Sequence, residues 1–214
     1  CSSQHHGDNI MPYLGNEVAP LVQALEGKEL KLDSDGDSSI QASTDDTVVF
    51  KTNGSNRWTL NSSGNLFPAS TSQGIVLGAT SDTSANRLED YEEGTWTPAI
   101  IGATTAGSSP TGVGSYTKVG KLVTATATFG NVTVSGAAGN TYISGLPYSA
   151  SNGSSGAAHG AVGTSNYGTD ILIGSVLNGE TVIRIRGANT TVYKTISNAA
   201  SIYFLCTVSY ETST

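Results

Sequence analysis

Between residues 30 and 66, large apolar residues come almost singly, at Leu32, Ile40, Phe50 and Leu60, and each gap is filled by turn-forming residues. The fillers are Asp33-Ser34-Asp35-Gly36-Asp37, Ser43-Thr44-Asp45-Asp46, Asn53-Gly54 and Ser63-Gly64. Ile40, Phe50 and Leu60 are spaced by ten, as are Gly54 and Gly64. Such a rhythm predicts strands of three or four residues joined by tight turns. Burying a large apolar side chain yields roughly 1.5–3 kcal/mol, whereas ordering each residue costs about 1–2 kcal/mol. One ribbon of this kind cannot hold itself together, so neighbouring copies are expected to complete it, and three chains around a common axis are the expected assembly. Leu32, Ile40, Phe50, Trp58 and Leu60, with Trp96 further on, are the candidate oligomer core.

The texture changes along the chain. From residue 94 the strands lengthen. Thr124, Thr126 and Thr128 alternate with Val123, Ala125, Ala127 and Phe129, the period of a half-buried strand. Residues 181–186 set Ile183 and Ile185 against Val182, Arg184 and Arg186. Residues 200–210 place Ile202, Phe204, Cys206, Val208 and Tyr210 on one face, with Tyr203 and Leu205 on the other. Eight or nine strands in the last 120 or so residues fit an antiparallel sandwich or jelly roll. The only helix expected lies in residues 16–27, capped by Asn16, ended by Gly27 and shortened by Pro20. The expected organisation is a disordered leader (1–10), an N-terminal attachment segment (11–29), a β-stranded shaft and neck (30–93), and a β-sandwich head (94–214). Within the neck, residues 74–78 are expected as one buried strand, and the acidic run at residues 89–93 as a solvated collar.

Charge separates the same regions. Through Glu93 there are 14 acids against five Lys/Arg, a balance of −9; beyond it there are three acids against five, a balance of +2. An acidic first part repels nucleic acid and anionic membrane, and the second part has no basic stripe. No apolar run approaches a membrane span. The expected partners therefore exclude nucleic acid and membrane insertion. Cys1-Ser2-Ser3 matches the processed end of a lipidated bacterial surface protein, and a lipid-anchored adhesin is the alternative it raises.

Chemistry is sparse. Asp33-Ser34-Asp35-Gly36-Asp37 imitates the start of a calcium loop of the EF type, but Ser38 stands where its glycine belongs and Thr44 where its glutamate belongs. A β-turn capped by Asp side chains is the better reading. A hydrolytic triad would have to use His159 and Asp170, with no nucleophile elbow at residues 152–156. Glycan cleavage would need two opposed carboxylates from Asp170, Glu180 and Glu211, which read as surface charges. The chain is expected not to be an enzyme, and no cofactor or metal is expected; a glycan-active spike enzyme is the least favoured alternative. For sugar binding without cleavage, the candidates are Tyr148, Asn152, His159, Asn166 and Tyr167, polar and aromatic residues in Gly/Ser-rich stretches.

Residues 87–98, Arg-Leu-Glu-Asp-Tyr-Glu-Glu-Gly-Thr-Trp-Thr-Pro, closely resemble a segment common in tail-fibre and virion structural proteins of bacteriophages, where it precedes a β-rich C-terminal domain. Residues 35–47 are similar to that family's shaft, residues 114–123 to its early C-terminal hairpin and residues 144–148 to its mid-domain turn. Residues 11–15 resemble the usual start of such proteins and mark Met11 as the expected beginning. The resemblance implies a virion location on tail or capsid, homo-oligomeric assembly, attachment to another virion protein through the N-terminal segment, and contact with a host-surface glycan or protein. It carries over no active site.

Overall fold

The computed structural model describes residues 28–42, 44–151, 158–164, 171–187 and 192–213, and among these it is almost entirely β. The short helix expected over residues 16–27 lies outside the described residues, as do the leader and most of the attachment segment. The chain divides into two compact units, Cys1–Ser70 and Thr71–Thr214. The head boundary placed by sequence at residue 94 falls within a strand of the second unit.

In the first unit, β1 (Leu30–Lys31), β2 (Ser39–Gln41), β3 (Val48–Thr52), β4 (Ser55–Leu60) and β5 (Leu66–Pro68) form an antiparallel meander in chain order. Turn chemistry sets it. Thr52 pairs with Ser55, leaving Asn53 and Gly54 as a two-residue hairpin with φ of 52° and 67°, the left-handed geometry that Asn-Gly supplies. The turn between β1 and β2 is closed by the Ser38 amide donating to Asp33 Oδ1 at 3.1 Å. Leu30, Ile40, Phe50, Trp58 and Pro68 are successive cross-strand partners, so one apolar row crosses all five strands. The other face carries Lys51, whose Nζ donates to Glu29 at 2.7 Å and Gln41 at 2.9 Å. Among the described residues of this unit, only Val49 and Ser39 are buried.

The second unit begins with a two-stranded ladder, β6 (Ile75–Val76) and β7 (Arg87–Leu88), separated by a single 3-10 turn at Ser84–Asn86. The sequence led us to expect a buried strand here, but Ile75 and Leu77 are exposed. Arg87 organises the segment by donating to Ser72 O, Glu89 and Asp82.

The remaining nine strands are β8 (Tyr91–Trp96), β9 (Ala99–Gly102), β10 (Val113–Val119), β11 (Leu122–Val132), β12 (Thr141–Ser144), β13 (Ala158–Thr164), β14 (Leu172–Val176), β15 (Val182–Gly187) and β16 (Ile202–Glu211). They form one antiparallel sheet in the order β8-β10-β11-β16-β13-β14-β15-β12-β9. Its two outermost strands, β8 and β9, are joined by only Thr97 and Pro98, a span of about 11 Å at most, so the sheet has to curl until its ends meet. Backbone bonds seal the seam: Ile100 N–H to Pro110 O at 3.0 Å and Gly112 N–H to Pro98 O at 2.8 Å. The expected antiparallel all-β unit is present, with its strands in one curled sheet.

Alternation delivers the core to the inside of the curl. Val123, Ala125, Ala127 and Phe129 of β11 meet Tyr210, Val208, Cys206 and Phe204 of β16 as direct partners, all buried. Phe129 and Phe204 pack edge to face with centroids 6.1 Å apart, and Ile100, Ile143, Ile183 and Ile185 are fully buried.

Candidate functional site

Two places gather the residues singled out by sequence. The first is the apolar face of the five-stranded sheet. Besides the row from Leu30 to Pro68, partners Val48, Leu60 and Leu66 make a second row two residues along, on the same face. Leu32 follows Leu30 by two and its amide donates to Ser38 O. Leu32, Ile40, Phe50, Trp58 and Leu60 thus share one face, with Leu32 at 59% and Leu66 at 56% exposure. Trp96 belongs elsewhere. It is buried in the core of the curled sheet, where its Nε1 donates to Thr126 O at 2.9 Å and Ser115 O at 3.3 Å.

The second place lies at one end of that sheet's inner face. Residues 92, 94 and 96 of β8 share one strand face opposite residues 118, 116 and 114 of β10, running from exposed Glu92 to buried Trp96. Trp96 lies over Gly114 and Tyr116 over Gly94: a Cβ on Gly114 would stand 2.3 Å from Trp96 Nε1, and one on Gly94 would stand 2.9 Å from the Tyr116 ring. This reciprocal pairing is the physical content of the Glu92-Glu93-Gly94-Thr95-Trp96 run. Beyond it, Glu92 accepts hydrogen bonds from the hydroxyls of both Tyr116 and Tyr148. The two rings meet edge to face at 5.7 Å. Lys118, buried, pairs with Asp90 and sets its ammonium 5.6 Å from the Tyr148 ring centroid. Tyr210 donates to Tyr148 O at 3.0 Å, tying the turn to β16.

The two phenols hold the Glu92 carboxyl below its usual range, with nearby Lys118 adding to the effect. The same bonds, foremost that to Glu92, push the Tyr116 and Tyr148 hydroxyls up. A carboxylate with lowered proton affinity is a weak general base. The arrangement braces the Tyr116 and Tyr148 hydroxyls against one carboxylate.

Of the five sugar-binding candidates, Tyr148 stands in this cluster. His159 lies on β13 opposite Ser175, while Asn152, Asn166 and Tyr167 lie outside the described residues. The sequence reading did not single out Asp90, Glu92, Tyr116 and Lys118: residues 89–93 are as solvated as expected, exposed at all but Asp90, and their tie to residues 116 and 118 arises only from the β8–β10 pairing. The usable signal was parity: Glu92, Gly94 and Trp96 share one strand face, and Trp96 has to point inward. Of the three acids weighed for glycan cleavage, Glu180 forms an ion pair with Arg184 and Glu211 ends β16; Asp170 lies outside the described residues. The carboxylate oxygens of Asp33, Asp35 and Asp37 fall within 4.8 Å of one another, and the Ser38 bonds hold the Asp33 carboxyl below its usual range.

No protein-family model, curated protein or solved structure matches this chain.

Proposed function

We propose that this chain is a structural fibre protein of a bacteriophage virion that works as a homotrimer. Residues 30–93 form its shaft and neck and the curled β unit its sandwich-like head. Residues 11–29 attach it to another virion protein, and the head is displayed for contact with a host-surface glycan or protein. The virion part of the reading is supported by the resemblance of residues 87–98 to phage fibre proteins. The observation that carries the assembly part is the apolar row Leu30–Ile40–Phe50–Trp58–Pro68, exposed at Leu30 and Phe50 and half-buried at the other three, on a sheet whose described residues bury only Val49 among the apolar ones.

A single sheet with one solvated apolar face is not stable by itself, since a sheet has to bury that face against another layer. Identical copies are the simplest covering layer, because every copy presents the same stripe and rotation about one axis closes the set. The proposal assigns no catalytic step to the chain.

Sedimentation equilibrium of the full chain tests the assembly part. The expected mass is three times the 21.9 kDa of one chain, falling towards one chain in Phe50→Glu. A native chain that stays monomeric and folded from nanomolar to high micromolar concentration would overturn it. Labelling intact phage particles with an antibody to the chain tests the virion part, and particles that carry none of the protein would end that reading.

A further inference from the structure

We propose that the outer face of the sheet formed by β8, β10, β11 and β16 is a second interface between copies of this chain; this rests on the homo-oligomeric reading above. The argument starts from area. The five short strands of the first unit, about 4.8 Å apart and mostly three to five residues long, offer a flat footprint of about 250 Å². A stable interface needs about 800 Å² from each partner, so the apolar stripe alone falls short. The four long strands present a footprint of about 400 Å² by the same spacing, which makes up most of the shortfall.

The chemistry of that face suits burial. Its middle is a grid of small hydroxylated side chains: Thr95, Ser115, Thr126 and Thr207 are successive cross-strand partners, and Thr117, Thr124 and Ser209 make the next row. These hydroxyls bond sideways to one another, Ser115 Oγ to Thr126 Oγ1 at 2.8 Å and Thr124 Oγ1 to Ser209 Oγ at 2.9 Å. The two bonds pair four of the seven hydroxyls, which lowers the penalty for burying them, and the hydroxyls of Thr95, Thr117 and Thr207 are left to bond across the interface.

Exposed apolar residues flank the grid at both ends. Val113 at 74% and Leu205 at 53% exposure stand with Tyr203 at one end, and Tyr91, Val119 and Leu122 at the other. Charge is confined to Glu93 on the outermost strand and Glu211 at the tip of β16, as expected of a patch whose centre is dry. The other side of the same sheet differs. There Arg184 sits between the rings of Tyr142 and Tyr193, at 5.1 and 5.5 Å, and pairs with Glu180. A second copy is the occupant the rest of the chain supplies, because copies joined through residues 30–68 hold their second units at high local concentration.

The test uses full-length chains. Leu205→Glu and Thr207→Lys, both on the outer face, are expected to raise the dissociation constant of the oligomer about tenfold or more. Thr181→Lys, at an exposed position just before β15 and outside these four strands, is expected to leave it unchanged. Circular dichroism confirms that each variant is folded. Hydroxyl-radical footprinting of the unaltered chain gives a readout independent of the variants: oxidation of Tyr203 and Leu205 is expected to be low in the oligomer and to rise on dilution. An oligomer that persists in both variants, with Tyr203 and Leu205 oxidised equally at all concentrations, overturns this interface and leaves the shaft reading standing. A native chain that is monomeric throughout overturns both.

Discussion

Gly114→Ala probes the aromatic-over-glycine pairing directly. The new Cβ would lie 2.3 Å from Nε1, 2.5 Å from Cε2 and 2.6 Å from Cδ1 of Trp96, all well inside contact distance. The indole cannot simply step aside, because it is buried and its Nε1 donates to Thr126 O at 2.9 Å. Overpacking of this kind costs about 1–3 kcal/mol, and losing the indole hydrogen bond adds about 0.5–1.5 kcal/mol. The expected destabilisation is therefore about 2–4 kcal/mol. Gly130→Ala is the control, since it lies on the same sheet and a Cβ there meets nothing within 4 Å; its effect is expected within about 0.5 kcal/mol. Cys206, buried in the core of the curled sheet, makes the assay specific to this unit. Pulsed thiol labelling across a urea series, read on the peptide that contains Cys206, reports its unfolding apart from any dissociation of the first unit. With a slope near 2 kcal/mol per molar urea, the midpoint of Gly114→Ala should drop by about 1–2 M. Trp96→Phe in the same background should recover at least half the penalty, because the smaller ring vacates the space the Cβ needs. A Gly114→Ala midpoint within about 0.3 M of the native one would refute the pairing.

Three further outcomes are expected. Gly54→Ala, at a turn position with φ of 67°, should destabilise the β3–β4 hairpin by about 1 kcal/mol, seen as faster amide exchange at Thr52 and Ser55. Tyr148→Phe removes one of the two donors to Glu92, so the Glu92 carboxyl should titrate closer to its ordinary value by carbon-detected NMR, and an unchanged titration would show that the bond is not formed in solution. Stability should have two pH limits. Glu92 and Glu29 are held below the usual carboxylate range by hydrogen bonds from Tyr116 and from Lys51 respectively, so what they contribute is present above about pH 4.5 and is lost as pH falls through their folded values. Burial pushes the Cys206 thiol up from 9.0 to about 12, so its contribution is complete below pH 9 and is lost on the way to pH 12, by at most about 4 kcal/mol. Cys206→Ala should flatten that alkaline limb in thermal melts.

Much of the fold is written in strand parity. The alternations in residues 122–129, 181–186 and 200–210 predict which side chains are buried, because a half-buried strand exposes every second residue whatever its partners. Pairing order is not written there. That β16 lies between β11 and β13 depends on closure of the whole sheet, which no local pattern encodes. Residues 74–78 show the opposite failure: an apolar run reads as a buried strand, yet it pairs over only two residues and leaves Ile75 and Leu77 in solvent. For the site, the shared sheet face of Leu32, Ile40, Phe50, Trp58 and Leu60 was legible because each interrupts a polar turn sequence. Trp96 was grouped with them because residue type alone does not tell which unit's core a large apolar side chain enters. The Glu92 cluster was hidden by its composition, since the acidic run at residues 89–93 is exposed at every residue but Asp90, and the bonds of Glu92 to two tyrosines distant in sequence leave no local pattern.

The position of β16 also governs when the molecule can form. It is the last of the nine strands in chain order, yet it joins the β8-β10-β11 block to the β13-β14-β15-β12-β9 block. Until it inserts, two half-sheets with raw edges and no shared interior coexist on the nascent chain, and pairings this distant are slow to close. A chain cut short before residue 211 therefore lacks the strand that bridges β11 and β13 and closes the curled sheet.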